Sequence, residues 1–442
     1  MAHGCGIHCL FCTAGYANGG SNRHASGENT AVTTSRQRVL DAIAHRQPDR
    51  VPVDFSGHRS SGIMAIAYRH LRAALGLPPR VPRVYDLIQQ LAIVDEDVLA
   101  RFGVDTIELG RGFCADDKWW REWRLPDGSA CLIPAWADVR LDGGDWYLYN
   151  ARGQRCGVQR AGSLYFEQLY YPLADGVPED LAALPELLPQ TMWAFPSPPG
   201  PAAPTPADLA AGARTLRAST DRAIIGLFGG NLLEWLQFLL RNDNCLMLLA
   251  SEPATAHRLL DTLVEVHLAN LERFLGAVGP YIDVILFGDD LGMQHGPQLS
   301  PAMYREFFQP RHRLLWQRAK QLAPVKVNLH SCGAIAPLLD DLIAAGMDAV
   351  NPVQTSATGM GAAHLKATYG ARLCLWGGGC DTQVVLPKQT PAEVRDHVLR
   401  NLAILAPGGG FVFQQVHNIM ADVPPANVIA MFDAVAHFNT IR

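Results

Sequence analysis

The sequence has no run of about 18 consecutive apolar residues, so no transmembrane helix is expected. It has no cluster of basic residues and a formal net charge of −5, so the electrostatic footprint of a nucleic-acid binder is absent. Charged residues are scarce, at 18% against 48% apolar, which excludes a disordered chain and provides for a large buried core. Met1 to Asn29 lacks a basic segment followed by an apolar one, so no secretory signal is expected and the reading is cytoplasmic. Ten cysteines scattered irregularly through 442 residues do not form a disulfide framework. In a reducing compartment they are core residues or metal ligands.

What the sequence does contain is alternation. From Ser35 onward, short apolar runs alternate with helical patterns, which implies βα units around a parallel sheet. Eight strand candidates emerge: Val51–Phe55, Asp105–Leu109, Ala223–Phe228, Val284–Phe287, Val325–His330, Ala349–Val353, Leu373–Trp376 and Gly410–Gln414. Eight units favour a closed (β/α)8 TIM barrel over its competitor, a doubly wound sheet. Residues 1–34, rich in Gly, Ser, Asn and His, read as a disordered tail, and 35–442 as the barrel. A β-hairpin insertion is expected after the second strand, over 113–175, where Trp and Tyr alternate with Asp-Gly and Gly-Gly turns. The proline-rich stretch 196–206 reads as a stiff connection.

Helix punctuation supports this frame. Ser300–Pro301 and Thr390–Pro391 each place a hydroxyl at an N-cap and proline at the first helical position, and Glu393 adds a capping box. Ile335, Leu338, Leu339, Leu342 and Ile343 make one apolar face, which Gly346 ends.

In a barrel, side chains that follow a strand's last residue face the catalytic mouth. His330-Ser331-Cys332 is the sharpest such signal, since residues two apart on an extended strand point the same way. An imidazole and a thiolate suit Zn²⁺, with His417 or Cys380 as the third metal ligand. Asp289, Gln354, Asp381 and His417 are the candidate catalytic residues around this point. Arg59, Arg111, Asp290, Asn231 and Asn418 are candidates for binding substrate, the arginines by pairing with a carboxylate. In the tail, Cys5, Cys9 and Cys12 resemble the cluster loop of radical-SAM enzymes, whose three thiolates suit an iron–sulfur cluster. Here that pattern precedes the barrel instead of following its first strand, so a chance match or an unused start is expected.

Several segments together resemble the uroporphyrinogen-decarboxylase (URO-D) superfamily. They are Asp49–Val53, Leu299–Phe308, Gly377–Thr382, His417–Ile419 and Asp422–Asn427, and the resemblance spans roughly residues 35 to 440. It implies a (β/α)8 barrel with a deep cleft and one of two chemistries. The decarboxylases resemble the chain at His417, need no cofactor, and use an arginine-rich loop after the first strand and an aspartate after the second. Here the first loop, Ser56–Ser61, keeps one arginine, and Arg111 stands where a carboxylate is wanted. The corrinoid-dependent methyltransferases resemble the chain at His330-x-Cys332. They complete their zinc with a cysteine after the eighth strand, where this chain has Val416–His417. The expected function is therefore a zinc-dependent methyltransferase of one-carbon metabolism. It would move a methyl group between a corrinoid (cobalamin) presented by a partner protein and a thiol or folate acceptor. The alternatives are a URO-D-type decarboxylase of tetrapyrrole biosynthesis and a non-catalytic tetrapyrrole- or corrinoid-binding barrel.

Overall fold

The computed structural model describes residues 33–194 and 205–441. The cysteines of the tail and the proline-rich stretch up to Pro204 lie outside the described residues. Seven parallel strands form one curled sheet: Thr106–Glu108, Ala223–Gly229, Val284–Gly288, Lys326–His330, Ala349–Asn351, Cys374–Trp376 and Phe411–Val412, each paired with the next in chain order. They are the second to eighth strands of the expected set. The first, around Val53, is too short to count as a regular strand, yet its backbone bridges both sheet edges. Asp105 N donates to Val53 O at 2.7 Å on one side. On the other, Phe413 N donates to Pro52 O and Asp54 N donates to Phe413 O, both at 2.8 Å. The eight-membered barrel closes through this segment.

The two-residue period of a strand divides the interior into layers. Ala223, Ile225, Val284, Leu286, Ala349, Cys374, Trp376 and Val412 pack into one apolar cluster. Val39, Ala42 and Ile43 of the helix Ser35–Ile43 join it and plug the amino end of the barrel. Arg36 and Arg38 of that helix pair with Asp283 and Asp105 at 2.6 and 2.7 Å, both just ahead of a strand. The carboxyl end is therefore the open end. On the same inward face, nearer that end, the side chains become polar: Thr106, Glu108, Asn328, His330 and Asn351.

A repeated device holds the amino end. Asp105, Asp283 and Asp348, each just before a strand, accept the N–H of Val53, Ile224 and Val327 at 2.9, 2.9 and 2.8 Å. Each carboxylate thus ties its own strand to the one before. Asp105 also carries Arg38 and Arg50, both at 2.7 Å.

The insertion is antiparallel as expected. Trp120–Arg124 pairs with Ala130–Pro134, and Asp138–Asp142, Asp145–Tyr149, Arg155–Gln159 and Glu167–Gln168 form a second sheet. Thr390 and Glu393 make the expected capping box. The face beginning at Ile335 is a 3-10 turn, Ala336–Leu338, followed by helix Leu339–Ala345, and Gly346 ends it at φ 118°. Among the described residues no helix is long and apolar enough to cross a membrane.

Asp105→Ala should leave two arginines and a strand N–H without their buried partner. The expected loss is on the order of 3–5 kcal/mol, read as a lower urea midpoint. An unchanged midpoint would show that closure does not depend on this carboxylate.

Candidate metal centre

His330 is the last residue of the fifth strand and Cys332 lies two beyond it, in a turn held from several sides. Cys332 N donates to Asp290 Oδ1 at 2.8 Å and Gly333 N to Gln354 Oε1 at 3.0 Å. Gly333, at φ 87°, lies so close to Gly292 that a Cβ there would stand 2.5 Å from the Gly292 carbonyl carbon. Only glycine permits this approach, which presses the turn onto the loop after the fourth strand. His417 follows the eighth strand with φ 64°. A histidine in that conformation is strained, and its surroundings must hold it there.

These elements bring three ligating atoms, one each from His330, Cys332 and His417, within 4.8 Å of one another. Cys332 Sγ lies 3.5 Å from His330 Nε2. A sulfur and a nitrogen sharing one tetrahedral zinc stand about 3.6 Å apart, as the usual bond lengths require. Asp290 Oδ1 lies 3.5 Å from the same Nε2.

The tautomer of His330 follows from its neighbours. Asn351 Nδ2 donates to the Trp376 carbonyl at 3.2 Å and to Gln414 Oε1 at 2.6 Å, and Gln414 Nε2 donates to the Ser60 carbonyl at 3.1 Å. The two backbone carbonyls accept only, so both amides have one orientation. Asn351 Oδ1 must then face His330 Nδ1, 3.1 Å away, while Ser60 Oγ lies 2.8 Å from the same nitrogen. Nδ1 therefore carries the proton, and the lone pair of Nε2 is left for the cluster. This is the support that metal-binding histidines require.

Burial lowers both imidazoles out of their charged range, His417 to about 4 with help from His330, so both are neutral at pH 7. Burial, then Asp290 and Glu234, push the Cys332 thiol well up. Burial and the neighbouring Asp290 and Asp289 push Glu234 well up in turn. A thiol and two carboxyl groups thus crowd neutral rings.

The cluster opens on a cleft of about 930 Å³. Arg59, Asn231, Asp290, His330 and His417 line it, opposite aromatic walls that include Phe228, Trp235 and Phe238. Arg59 pairs with Asp86 at 2.9 Å, and Asn231 Nδ2 donates to Glu234 at 2.6 Å.

Other expected site residues do different work, and these are corrections. Cys380 is fully buried with its thiol toward the Asp381 carbonyl, so it stays outside the cluster. Asp289 accepts Leu233 N and Glu234 N at 3.0 Å each and meets His312 at 3.2 Å, which makes it a helix cap sealed from the cleft. Asp381 caps a short helix by accepting the N–H groups of Gln383, Val384 and Val385. Gln354 braces the Cys332 turn, and Asn418 binds Gly62 N and Gln89. Arg111 is absent from the cleft wall, and its buried Nη2 has no hydrogen-bond partner. Ser60, Asn351 and Gln414 were missed because their role depends on partners far away in sequence.

The family described as uroporphyrinogen decarboxylase (URO-D) matches residues 218–438, and the chain belongs to that family. A solved structure, a methyltransferase from Methanosarcina mazei, superposes with a TM-score of 0.55 at 16% sequence identity, covering 92% of this chain and 99% of that one. At such identity the likeness establishes the shared fold. No curated protein matches the sequence.

The tautomer is directly measurable. A long-range ¹⁵N–¹H spectrum of the metal-free protein should show His330 protonated on Nδ1, and Asn351→Leu should make its population mixed. A wild-type Nε2–H form would refute the hydrogen-bond assignment.

Proposed function

We propose that this protein is a zinc-dependent methyltransferase that moves a methyl group between a corrinoid held by a partner protein and a thiol or folate acceptor. The observation that carries this reading is the convergence of His330, Cys332 and His417 within 4.8 Å at the cleft. The donor set fits the metal: two neutral imidazoles, a thiol able to ionise beside a cation, and a surrounding excess of acidic groups. The tie between His330 and Asn351 is the outer support such a site needs.

A zinc ion held by these residues would supply the charge that keeps an acceptor thiol ionised at neutral pH. The chain's own residues do the rest. Asp290 stands beside the cluster and receives the acceptor's proton, while Asn231 and Glu234 orient its polar part. The aromatic walls exclude water from the reacting centre. With a methylated corrinoid presented by a partner, the acceptor's thiolate pair would form the sulfur–carbon bond while the corrinoid would keep the electron pair of its carbon–cobalt bond. The reaction suits the cytoplasm, since the seven cysteines among the described residues are all free.

The decarboxylase alternative has less support. Of the arginines it would use to hold carboxylates, Arg59 is tied to Asp86 and Arg111 stands off the cleft wall.

Elemental analysis separates the readings. Wild type should carry one zinc per chain, Cys332→Ser and His417→Ala should lose it, and Cys380→Ser should keep it. Zinc-free wild type, or a Cys332→Ser protein with full metal, would end the proposal. Zinc-loaded protein should also demethylate methylcobalamin in the presence of a thiol, seen as a change in the corrinoid spectrum.

A further inference from the structure

The cleft that holds the metal cluster is also lined by side chains to which the proposed chemistry gives no specific task. They include Trp193, ahead of the third strand in the chain, and His267 of the helix Pro253–Val278. The end of the third strand shapes this region. Its register against the fourth shifts between Leu227 and Gly229, and Gly229 and Gly230 have φ 80° and 63°. A bulge of this kind re-aims a side chain. Here the side chain is Phe228, whose ring lies 6.4 Å from that of His267 and 5.5 Å from that of Phe287. A Cβ on Gly230 would stand 2.8 Å from the Phe228 ring, so this placement requires glycine.

Two features of the region fit a ligand. The first is aromatic. Trp193 stacks on Phe238 with ring centroids 5.6 Å apart, and Trp235 meets the same ring edge-on at 5.7 Å. These three rings and Phe228 all line the cleft, and none is fully buried. Large rings left open to a cavity favour a partner that can stack on them. The second feature is His267, which is only 5% exposed. Its Nε2 lies 3.0 Å from the Asn231 carbonyl. A carbonyl only accepts, so Nε2 carries the proton and Nδ1 the lone pair. Burial lowers the ring to about 4, which keeps it neutral at pH 7. Nδ1 meets no donor among the described residues, and a buried acceptor left unmet is costly.

We propose that this part of the cleft is a binding subsite for a planar aromatic ring bearing a hydroxyl or N–H group. The ring packs among Trp193, Trp235 and Phe238, and its hydrogen is donated to His267 Nδ1. A saturated ligand would forgo the stacking, and a ring without a donor would leave Nδ1 unmet. That such a molecule exchanges a methyl group at His330, Cys332 and His417 rests on the methyltransferase reading. The subsite itself does not.

Calorimetric titration of the full-length protein tests it. β-Naphthol has both features, its methyl ether lacks the donor, and decahydro-β-naphthol lacks the aromatic ring. Indole against N-methylindole asks the same of an N–H donor. In at least one of the two methylation pairs the donor-bearing member should bind about tenfold more tightly, and β-naphthol should exceed its decahydro form by about tenfold. The pair that responds identifies the donor. His267→Leu should erase the preference within that pair with zinc content unchanged, and Trp193→Ala should erase the preference for the aromatic over the saturated ring. If His267→Leu fails to fold, the ¹⁵N signal of His267 Nδ1 in the wild type should shift with the preferred aromatic and not with its methylated partner. Equal binding within both pairs, a saturated ring bound as tightly as the aromatic one, or a His267→Leu protein that keeps the preference would overturn the proposal and leave only water against Nδ1. The preferences in protein that takes up no zinc would support the subsite while ending the metal reading, and their absence in zinc-loaded protein would do the reverse.

Discussion

Closure of the barrel at Val53 is the constraint on which the site depends. That segment is the shortest in the ring, with one backbone bond to the second strand and two to the eighth. Its continuation, the loop through Ser60, is drawn over the open end, where Gln414 and Gln415 of the eighth strand hold the Ser60 and Ser61 carbonyls at 3.1 and 3.0 Å. Ser60 reaches His330 only because of this. Were the sheet open between its first and eighth members, His330 would lose an orienting contact and the wall carrying Arg59 would have no fixed position. Fold and site are linked through one short stretch of backbone.

The barrel also separates two electrostatic environments. At the amino end, each buried carboxylate has a cation or a strand N–H within hydrogen-bond distance. At the carboxyl end, Asp290, Glu234 and the Cys332 thiol gather around neutral imidazoles, and Arg59 of the cleft wall is tied to Asp86. The first arrangement stabilises the fold by completing its pairs. The second is poorly compensated, which is the usual sign of a place built for a ligand. A divalent ion among those groups would restore the balance that the amino end achieves with arginine.

The fold was largely legible in the sequence because strand position depends on local periodicity and punctuation. Seven of the eight expected strands lie at their expected places and the first is reduced to a bridge at Val53, while the Thr390–Glu393 cap and the Gly346 stop follow from local chemistry. The site was legible only in part. His330 and Cys332 are two residues apart at a strand end, and the turn that Asp290 and Gln354 hold keeps them together. Side chains after a strand were harder, because a loop can turn them either way. Asp289 and Asp381 stood at mouth positions but turned back to cap helices, and nothing in their neighbouring residues separates a cap from a substrate contact.

The choice between His417 and Cys380 shows how the fold decides chemistry. Cys380 lies in the stretch bridged to Gln415, and its thiol bonds locally to the carbonyl of Asp381, so it is spent as core. His417 sits two residues beyond Gln415 in a left-handed conformation, and Ser56, at the end of the first strand, has φ 61°. Two non-glycine residues in that region cost on the order of 1–3 kcal/mol each. Both stand where the barrel closes, and the bonds of closure hold them there. A relaxed backbone at His417 would re-aim its ring, and Cys380, locked in the core, has no path to replace it. The strain is therefore part of what brings a third ligating group to His330 and Cys332.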